Sequence, residues 1–596
     1  MPSYKAPVAD TMFLLTDVFP IENYQNMPRF AETSLDLVEA ILSEGGKFAE
    51  EVLQPLNLSG DAEGCRRDPN GSVSTPKGFK EAYKSFVEAG WSSVTGEAEF
   101  GGQGLPKTLG IVLDEYLIAA NLSFTMYHGL THGATAALHA HASEEIKQLY
   151  LHKMTSGEWT GTMNLTEPHC GTDLGLIKTK ATRRTDGSFS ISGQKIFISA
   201  GEHDLAENIV HLVLARIEGA PVGVKGISLF VVPKILTNDD GSLGARNGVA
   251  CGSIEHKMGI HGNSTCVMNY DDAQGWLVGE ENRGLNAMFV MMNAERLMVA
   301  MQGLAQSEVA YQNAAAYAKD RLQGRALTGP KLPSKSADPL IVHPDIRRML
   351  LEIRSFNEAA RALAIWIALG LDQAEADPDE EARQAAEDRI GLFTPVLKAY
   401  FTDMGFENAV KAQQVLGGHG YIHEWGMDQF VRDARITMIY EGANGVQALD
   451  LVGRKLPMNG GRAIHTFLAE VDAYLTENAS TPGLSAYLSG LSKALGLLKQ
   501  ASAWIAKNAP ANPNNAGAAS ADYLRLFALV TLSYMWARIV KSVLARQAAG
   551  SSTPALDSKL PLAAFFNERV LPLAEAHLAC LTTGADCVMA LSDEAF

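Results

Sequence analysis

Apolar residues recur at three-to-four spacing over Thr33–Val52, Phe79–Ala89, Leu109–Leu122 and Glu144–Thr155, which predicts an amino-terminal helical block. Ser143 is placed to cap the last of these helices. Glu144 and Glu145 then fall in its first turn, where acidic groups suit the helix dipole. Gly101–Gly104 (GGQG) interrupts the block as a loop.

From Trp159 the period shortens to two. WTGTMNLTE, GSFSISGQKIFISAG, NIVHLVLARI, GISLFVVPKI and STCVMNYDD are β-branched or aromatic runs bounded by Gly, Asp or Pro, with a tight turn at Asp186–Gly187. They predict a β domain ending near Gly279. Helical periodicity resumes over Leu285–Arg321, Asp345–Gln373 and Ala382–Leu416, long enough for an antiparallel bundle. Pro457–Gly461 reads as a linker. Beyond it lie amphipathic stretches at Ala463–Leu475, Tyr487–Lys507, Ala521–Ala548 and Ala563–Leu581, with the Asn/Pro/Ala run Asn508–Ala518 separating the second from the third. The reading is an α+β chain: a helical domain (1–158), a β domain (159–280), a helical bundle (281–455) and an additional C-terminal helical domain (460–596).

The length of 596 residues suits about four such units. Fifty Lys and Arg stand against 67 Asp and Glu, a net charge of −17, which argues against a nucleic-acid partner. No apolar run reaches the roughly 20 residues of a membrane span. The start, MPSYKAPVADTMFLL, lacks the features of a secretory signal, and the six cysteines form no CxxC pair, so we expect reduced thiols and a cytoplasmic location. His419 and His423 lack an acidic third ligand at motif spacing, and no metal is expected.

Four segments offer chemistry. Leu165–Asp173 (LTEPHCGTD) brings Thr166, Thr172 and the Gly171 backbone onto one loop at a strand end, where they either serve a ligand or satisfy their own turn. Gly417, Gly418 and Gly420 in QVLGGHGY either cradle a phosphate or form a helix C-cap and turn. No GxGxxG follows a strand, so a Rossmann domain is unsupported. Glu441 follows the apolar run ITMIY, which would keep its carboxyl from water and lift its pKa, as a general base requires. Arg296, Arg321 and Arg325, near the two ends of one helix, are either surface ion pairs or phosphate forks.

Taken in order, these segments resemble the acyl-CoA dehydrogenase family from roughly Val52 to Lys455. LTEPHCGTD is similar to its first signature, with Thr172 where Ser is common. SGQKIFIS resembles its second flavin strand, with Phe197 for Trp and Ser199 for Thr. QVLGGHGY followed by IYEG resembles its second signature, with Gln429 replacing a Lys or Arg. Ala443 and Gly445 replace a Thr and a Gln, and Asn293 an Asp. The wording of MNLTEPHCGTDLGLIKTKA and EHKMGIHGNSTC, with the extra C-terminal domain, resembles the bacterial 600-residue branch.

The resemblance implies the family's fold (helical domain, β domain, four-helix bundle) and FAD bound in extended form. It implies that Met163, Leu165, Thr166, Gly171, Thr172, Phe197 and Ser199 meet the flavin. Gln414, Gly418, Arg321 and Gln323 would reach its adenine half and pyrophosphate from a neighbouring subunit. Thr172, Asn293, Arg296, Tyr440 and Gly442 would hold the substrate. It further implies that Glu441 removes the α proton of an acyl-CoA thioester while the β hydride passes to the flavin, giving a trans-2-enoyl-CoA, with electron-transfer flavoprotein as acceptor and a homodimeric assembly. 3-Methylmercaptopropionyl-CoA is the expected substrate. The alternatives are a medium- or long-chain fatty acyl-CoA dehydrogenase and an acyl-CoA oxidase.

Overall fold

A computed structural model describes residues 2–238 and 240–596. The chain forms two compact units, one of Glu44–Leu105 and Tyr116–Met298, the other of Met1–Ser43, Pro106–Glu115 and Val299–Phe596.

The first unit is built on a sheet of strands β1 (Trp159–Asn164), β2 (Lys180–Arg183), β3 (Phe189–Ser199), β4 (Asn208–Ile217), β5 (Ser228–Pro233), β6 (Val249–Ile254) and β7 (Thr265–Val278). The order is β6-β7-β3-β2-β4-β1, and β5 pairs with both β4 and β7. Five strands therefore close into a ring, made possible because the 14-residue β7 pairs with β3 along one stretch and with β5 along Trp276–Val278. Ile191, Ile198, Val213, Phe230, Val232 and Met268 fill its core. The turn expected at Asp186–Gly187 joins β2 to β3, with Gly187 at φ 87°. The strand β1 lies at the edge of the sheet and runs parallel to β4.

Helix α1 (Leu122–His141) has no counterpart in the periodicity analysis. Its least buried stripe runs through His128, His132, Thr135 and His139, but the buried face carries Ser123, Thr125, Thr131 and two glycines among its apolar residues, which blurs the hydropathy contrast. Its glycines permit close packing: a Cβ on Gly129 would lie 2.1 Å from Met298 Sδ, and one on Gly133 would lie 2.5 Å from Glu295 Oε1. A Cβ on Gly161 of β1 would lie 2.5 Å from Ala134 Cβ on the same helix. The cap expected at Ser143 is present, its hydroxyl accepting from Ile146 N at 3.5 Å.

The second unit is helical. It takes residues 299–320 of α2 (Gly284–Asp320), then α3 (Pro344–Ala376), α4 (Glu380–Val415) and α5 (Met427–Thr437). Gly303 and Gly405 let α2 and α4 touch backbone to backbone, since a Cβ on Gly303 would lie 2.3 Å from Phe401 O. The C-terminal helices are α6 (Arg462–Glu477), α7 (Ser485–Asn508), α8 (Pro513–Ala548) and α9 (Leu573–Leu581). Two expectations need correction here. The separator Asn508–Ala518 is half helical, because Asn512 caps α8 by accepting from Asn514 N at 3.0 Å. The stretch Ala563–Leu581 is broken, because Pro572 has no N–H to continue a helix, and α9 starts after it. Among the described residues α8 alone is long and apolar enough to cross a membrane, and 83% of its most apolar window is buried inside the protein.

A buried charge cluster ties distant parts of this unit together. Arg361 donates to Glu115 Oε1 at 2.6 Å, Asp10 Oδ2 at 2.7 Å and Glu308 Oε2 at 3.1 Å. Lys559 donates to Glu358 Oε2 at 2.6 Å and also to Asp10.

Candidate active site

In the first unit the loop after β1 is fixed from below by a buried lysine. Lys195 of β3 is fully buried, and its Nζ donates to Leu165 O and to Glu167 Oε1, each at 2.9 Å. Glu167 also accepts from Lys178 N at 2.6 Å, Thr179 N at 3.0 Å and Thr179 Oγ1 at 2.7 Å. Burial alone would raise its carboxyl, but the Lys195 ammonium and these donors hold it below the ordinary range. Burial lowers the Lys195 ammonium in turn.

Ile196 N donates to Thr166 O at 2.9 Å, stitching the loop to β3, and Asp173 Oδ1 caps the next turn by accepting from Gly175 N at 3.0 Å. The carbonyls of Leu165 and Thr166 are thereby engaged, while Thr166 is half-buried and Gly171 and Thr172 are exposed. Glu167, His169 and Cys170 bring possible metal-ligating atoms within 4.8 Å of one another. The Glu167 carboxylate, however, already carries four donors, and His169 Nε2 lies 2.9 Å from Leu176 O.

Beside this loop Phe197 adopts φ 60° and is 60% exposed. A left-handed non-glycine costs roughly 1–2 kcal/mol, and an aromatic ring held that way in solvent marks a surface shaped for a partner. Met163 and Ser199 are half-buried and Leu165 is buried. This platform fits a flat aromatic ring system: an exposed phenyl face, the Thr166 hydroxyl and the glycine of the Gly171–Thr172 turn. On α2, Asn293 is exposed, while Arg296 is buried and donates to Asn293 Oδ1 at 3.4 Å.

In the second unit Glu441 sits in the loop between α5 and the helix Asn444–Asp450, itself left-handed at φ 54° and followed by Gly442 at φ 87°. Side chains hold both carbonyls of this pair. Gln447 Nε2 donates to Glu441 O at 3.1 Å, and Lys398 Nζ donates to Gly442 O at 2.7 Å. The φ of 87° at Gly442 suits glycine, and a Cβ there would also displace the Gln447 amide, 2.4 Å away. The Tyr440 hydroxyl donates to Gln302 Oε1. The run ITMIY does not form a continuous apolar wall: Thr437 is buried, but Ile439 is 49% exposed, because the chain leaves α5 at Thr437 and the helical alternation ends there. Glu441 itself is half-buried.

Elsewhere in this unit Gly417 caps α4 in the left-handed region at φ 58°. Gln414, Gly417 and Gly418 are exposed, and a Cβ on either glycine would meet nothing within 4 Å. Gly420 is different: it packs on the Gln413 backbone, where a Cβ would lie 2.2 Å from the carbonyl. Arg321 and Gln323 are exposed. Arg325 is not available as a phosphate fork, since it donates to Asp338 Oδ1 at 3.2 Å and Leu332 O at 3.1 Å. Gln429, at the position where the family signature has a basic residue, is buried on α5 and donates to Asp433 Oδ2 at 3.2 Å.

Sequence reasoning missed Lys398 and Gln447. Lys398 carried one legible signal, a lone cation inside the apolar run FTPVLKAYF of a long helix.

Comparison with known proteins agrees with this arrangement. Four family models match in order: acyl-CoA dehydrogenase N-terminal domain over residues 38–158, middle domain over 162–273, C-terminal domain over 282–456, and acetyl-CoA dehydrogenase C-terminal like over 467–592. The chain belongs to the acyl-CoA dehydrogenase family and is an FAD-dependent oxidoreductase. It is 42% identical over 592 residues to 3-methylmercaptopropionyl-CoA dehydrogenase of Ruegeria pomeroyi, covering 99% of this chain and all of that one. It is 31% identical over 615 residues to the broad-specificity linear acyl-CoA dehydrogenase FadE5 of Mycobacterium tuberculosis, with full coverage of both. Among solved structures it matches Caenorhabditis elegans ACDH-11 in complex with C11-CoA, with TM-score 0.76, 20% identity and coverage of 96% of this chain and 92% of that one. It also matches a Bacillus anthracis acyl-CoA dehydrogenase complexed with FAD, with TM-score 0.75, 19% identity and coverage of 96% and 91%. These two likenesses establish the shared fold.

Proposed function

We propose that this acyl-CoA dehydrogenase converts 3-methylmercaptopropionyl-CoA to methylthioacryloyl-CoA, a step of dimethylsulfoniopropionate breakdown, and passes the electrons to electron-transfer flavoprotein. The observation that carries the substrate is the 42% identity, end to end, with the Ruegeria pomeroyi enzyme of that name. A linear fatty acyl-CoA is the competing substrate, favoured by the full-length likeness to the mycobacterial enzyme.

In this reading the loop after β1 and the end of β3 receive the isoalloxazine, with Met163, Leu165, Thr166, Gly171, Thr172, Ser199 and the strained Phe197 around it. FAD, when bound, supplies the acceptor for the β hydride. Gln414, Gly418, Arg321 and Gln323 serve the adenine half and pyrophosphate of a neighbouring subunit's cofactor, in a cytoplasmic homodimer. The exposed glycines 417 and 418, with open space above them, support that role.

Glu441 acts as the base for the α proton, carried on a left-handed backbone in the loop before the helix Asn444–Asp450. Its own N–H would face the thioester oxygen as charge develops there, a contribution of about 3 kcal/mol by analogy with other oxyanion donors. Thr172, Asn293, Arg296, Tyr440 and Gly442 complete the substrate site, Tyr440 being fixed by its bond to Gln302.

Anaerobic titration with a panel of acyl-CoAs, short to long and including the methylthio compound, tests the substrate. Fastest bleaching of the flavin by 3-methylmercaptopropionyl-CoA supports the proposal, and faster bleaching by a medium- or long-chain thioester contradicts it. Peroxide release in air without an acceptor would point to an oxidase instead. Light scattering giving a tetramer would count against the dimer.

A further inference from the structure

We propose that Lys398 is a positioning residue for the proton-abstraction step, holding the Glu441–Gly442 backbone in its left-handed pair through the Gly442 carbonyl. The inference rests on the reading of Glu441 as the base. Lys398 lies in the middle of α4, fully buried, with Nζ 2.7 Å from Gly442 O and 2.9 Å from Asn444 Oδ1. Asn444 is in turn tied to the same helix, its Nδ2 donating to Asp403 Oδ1 at 2.6 Å, Thr402 Oγ1 at 3.0 Å and Ala399 O at 3.1 Å. The base loop is thus bolted to successive turns of α4 in addition to its own closing bond from Asn444 N to Met438 O at 3.1 Å.

Backbone conformation explains the need. Two consecutive residues at φ 54° and φ 87° are unfavourable for the first of them, which has a Cβ. Such a conformation persists only where the surroundings over-determine it. The over-determination here is two carbonyls held from two directions, Glu441 O by Gln447 and Gly442 O by Lys398. A charged donor makes the stronger hydrogen bond of the two. With its ammonium removed, Gly442 O keeps only the longer contact from Gln447 Nε2 at 3.4 Å, and Glu441 is held less firmly out of the right-handed region. Its carboxylate then leaves the line of attack, and a misplacement near 1 Å costs about 10²-fold in rate. Of the residues assigned to substrate and flavin only Gly442 touches Lys398, so the loss falls chiefly on kcat.

The test uses Lys398→Met, Lys398→Arg and Asn444→Ala in the full-length FAD-loaded enzyme, with 3-methylmercaptopropionyl-CoA and butyryl-CoA as substrates. The expected result for Lys398→Met is a kcat per bound flavin lowered about 100-fold, with binding of crotonyl-CoA unchanged within a factor of about three. Lys398→Arg, which keeps a charged donor, is expected to recover at least a tenth of the activity. A Lys398→Met enzyme with unchanged kcat per flavin, or a loss of crotonyl-CoA binding equal to the loss of kcat, would overturn the inference. So would an arginine variant as slow as the methionine one. Should Lys398→Met fail to fold, Asn444→Ala decides: a lowered kcat with unchanged crotonyl-CoA binding supports the role, and an unchanged kcat removes it. Glu441→Gln runs alongside. Retained bleaching there defeats the assignment of the base, whereas lost bleaching with an unaffected Lys398→Met defeats the positioning role alone.

Discussion

Lys195 Nζ donates to Glu167 Oε1 and to Leu165 O at the same distance, 2.9 Å, so one buried ammonium fixes both a carboxylate and the backbone of the loop that precedes the ligand platform. Lys195→Met removes the cation and leaves Glu167 charged and buried. Breaking a buried pair from one side costs about 3–5 kcal/mol. The variant is expected to melt at lower temperature and to lose FAD on gel filtration, read as the ratio of flavin to protein absorbance. Full flavin content with an unchanged melting temperature would show that the loop holds itself.

His203 and His211 are buried in the same unit, beneath the first strand, Nε2 of His203 lying 2.9 Å from Thr160 Oγ1 and Nδ1 of His211 2.7 Å from Thr162 Oγ1. Burial first, and the Lys234 charge second, bring both imidazoles down to about 3. His128, on helix α1, is likewise brought to about 3 by burial and by His132. These groups are neutral when folded and protonate near 6.5 when unfolded, so their stabilisation is complete above pH 6.5 and is lost as pH falls toward 3. Three such protons amount to a slope of at most about 4 kcal/mol per pH unit in that window. Urea unfolding at pH 7, 6 and 5 is expected to show a steep loss. His211→Asn should flatten the slope by about one proton, and a flat profile in the parent would contradict the burial.

Two glycines separate packing from ligand roles. Gly303→Ala would press a methyl into the Phe401 carbonyl at 2.3 Å, which no side-chain rotation relieves. Overpacking of this kind costs about 1–3 kcal/mol or more. Gly418→Ala meets nothing within 4 Å and should leave the stability of the apoprotein unchanged. Its FAD affinity should fall, measured by fluorescence titration of apoprotein. Unchanged affinity would remove Gly418 from the cofactor site.

The C-terminal helices are fastened to the start of the chain by Lys559, which bridges Asp10 and Glu358. Burial alone would raise the Asp10 carboxyl, yet Lys559 and Arg361 bring it down to about 2. Its contribution is therefore present above about pH 4 and lost as pH falls through about 2. Lys559→Met removes one of two cations from each carboxylate, Asp10 keeping Arg361 and Glu358 keeping Arg354, and is expected to cost about 1.5–3 kcal/mol. Limited proteolysis near the amino terminus should become faster, and an unchanged digestion pattern would show that the cluster is dispensable.

The strands were legible where inward and outward residues alternate, as at the start of Phe189–Ser199, and the long helices through their length and helix-forming residues, since Ser355–Gly370 of α3 are buried on every face. Helix α1 was not, because Ser, Thr and Gly share its buried face with the apolar residues and weaken the period. The loop signatures were legible as family wording, but the devices that hold them were not. Gln447 and Asn444 act across a turn and across to α4, and neither relation leaves a mark in local spacing. The fate of Arg325 was equally hidden, since Asp338, which engages it, sits beyond an irregular loop. Nor does the sequence show that the apolar wording before Glu441 leaves Ile439 half in solvent.

Glu441 is the proposed base of this acyl-CoA dehydrogenase. Glu441→Gln keeps the shape of the side chain and the backbone bonds from Gln447 and Lys398 to the loop. Anaerobic stopped-flow mixing of the yellow, FAD-loaded variant with 3-methylmercaptopropionyl-CoA should show no bleaching at 450 nm on the timescale on which the parent bleaches completely, with substrate still bound. Bleaching at the parent rate would show that a group other than Glu441 removes the proton.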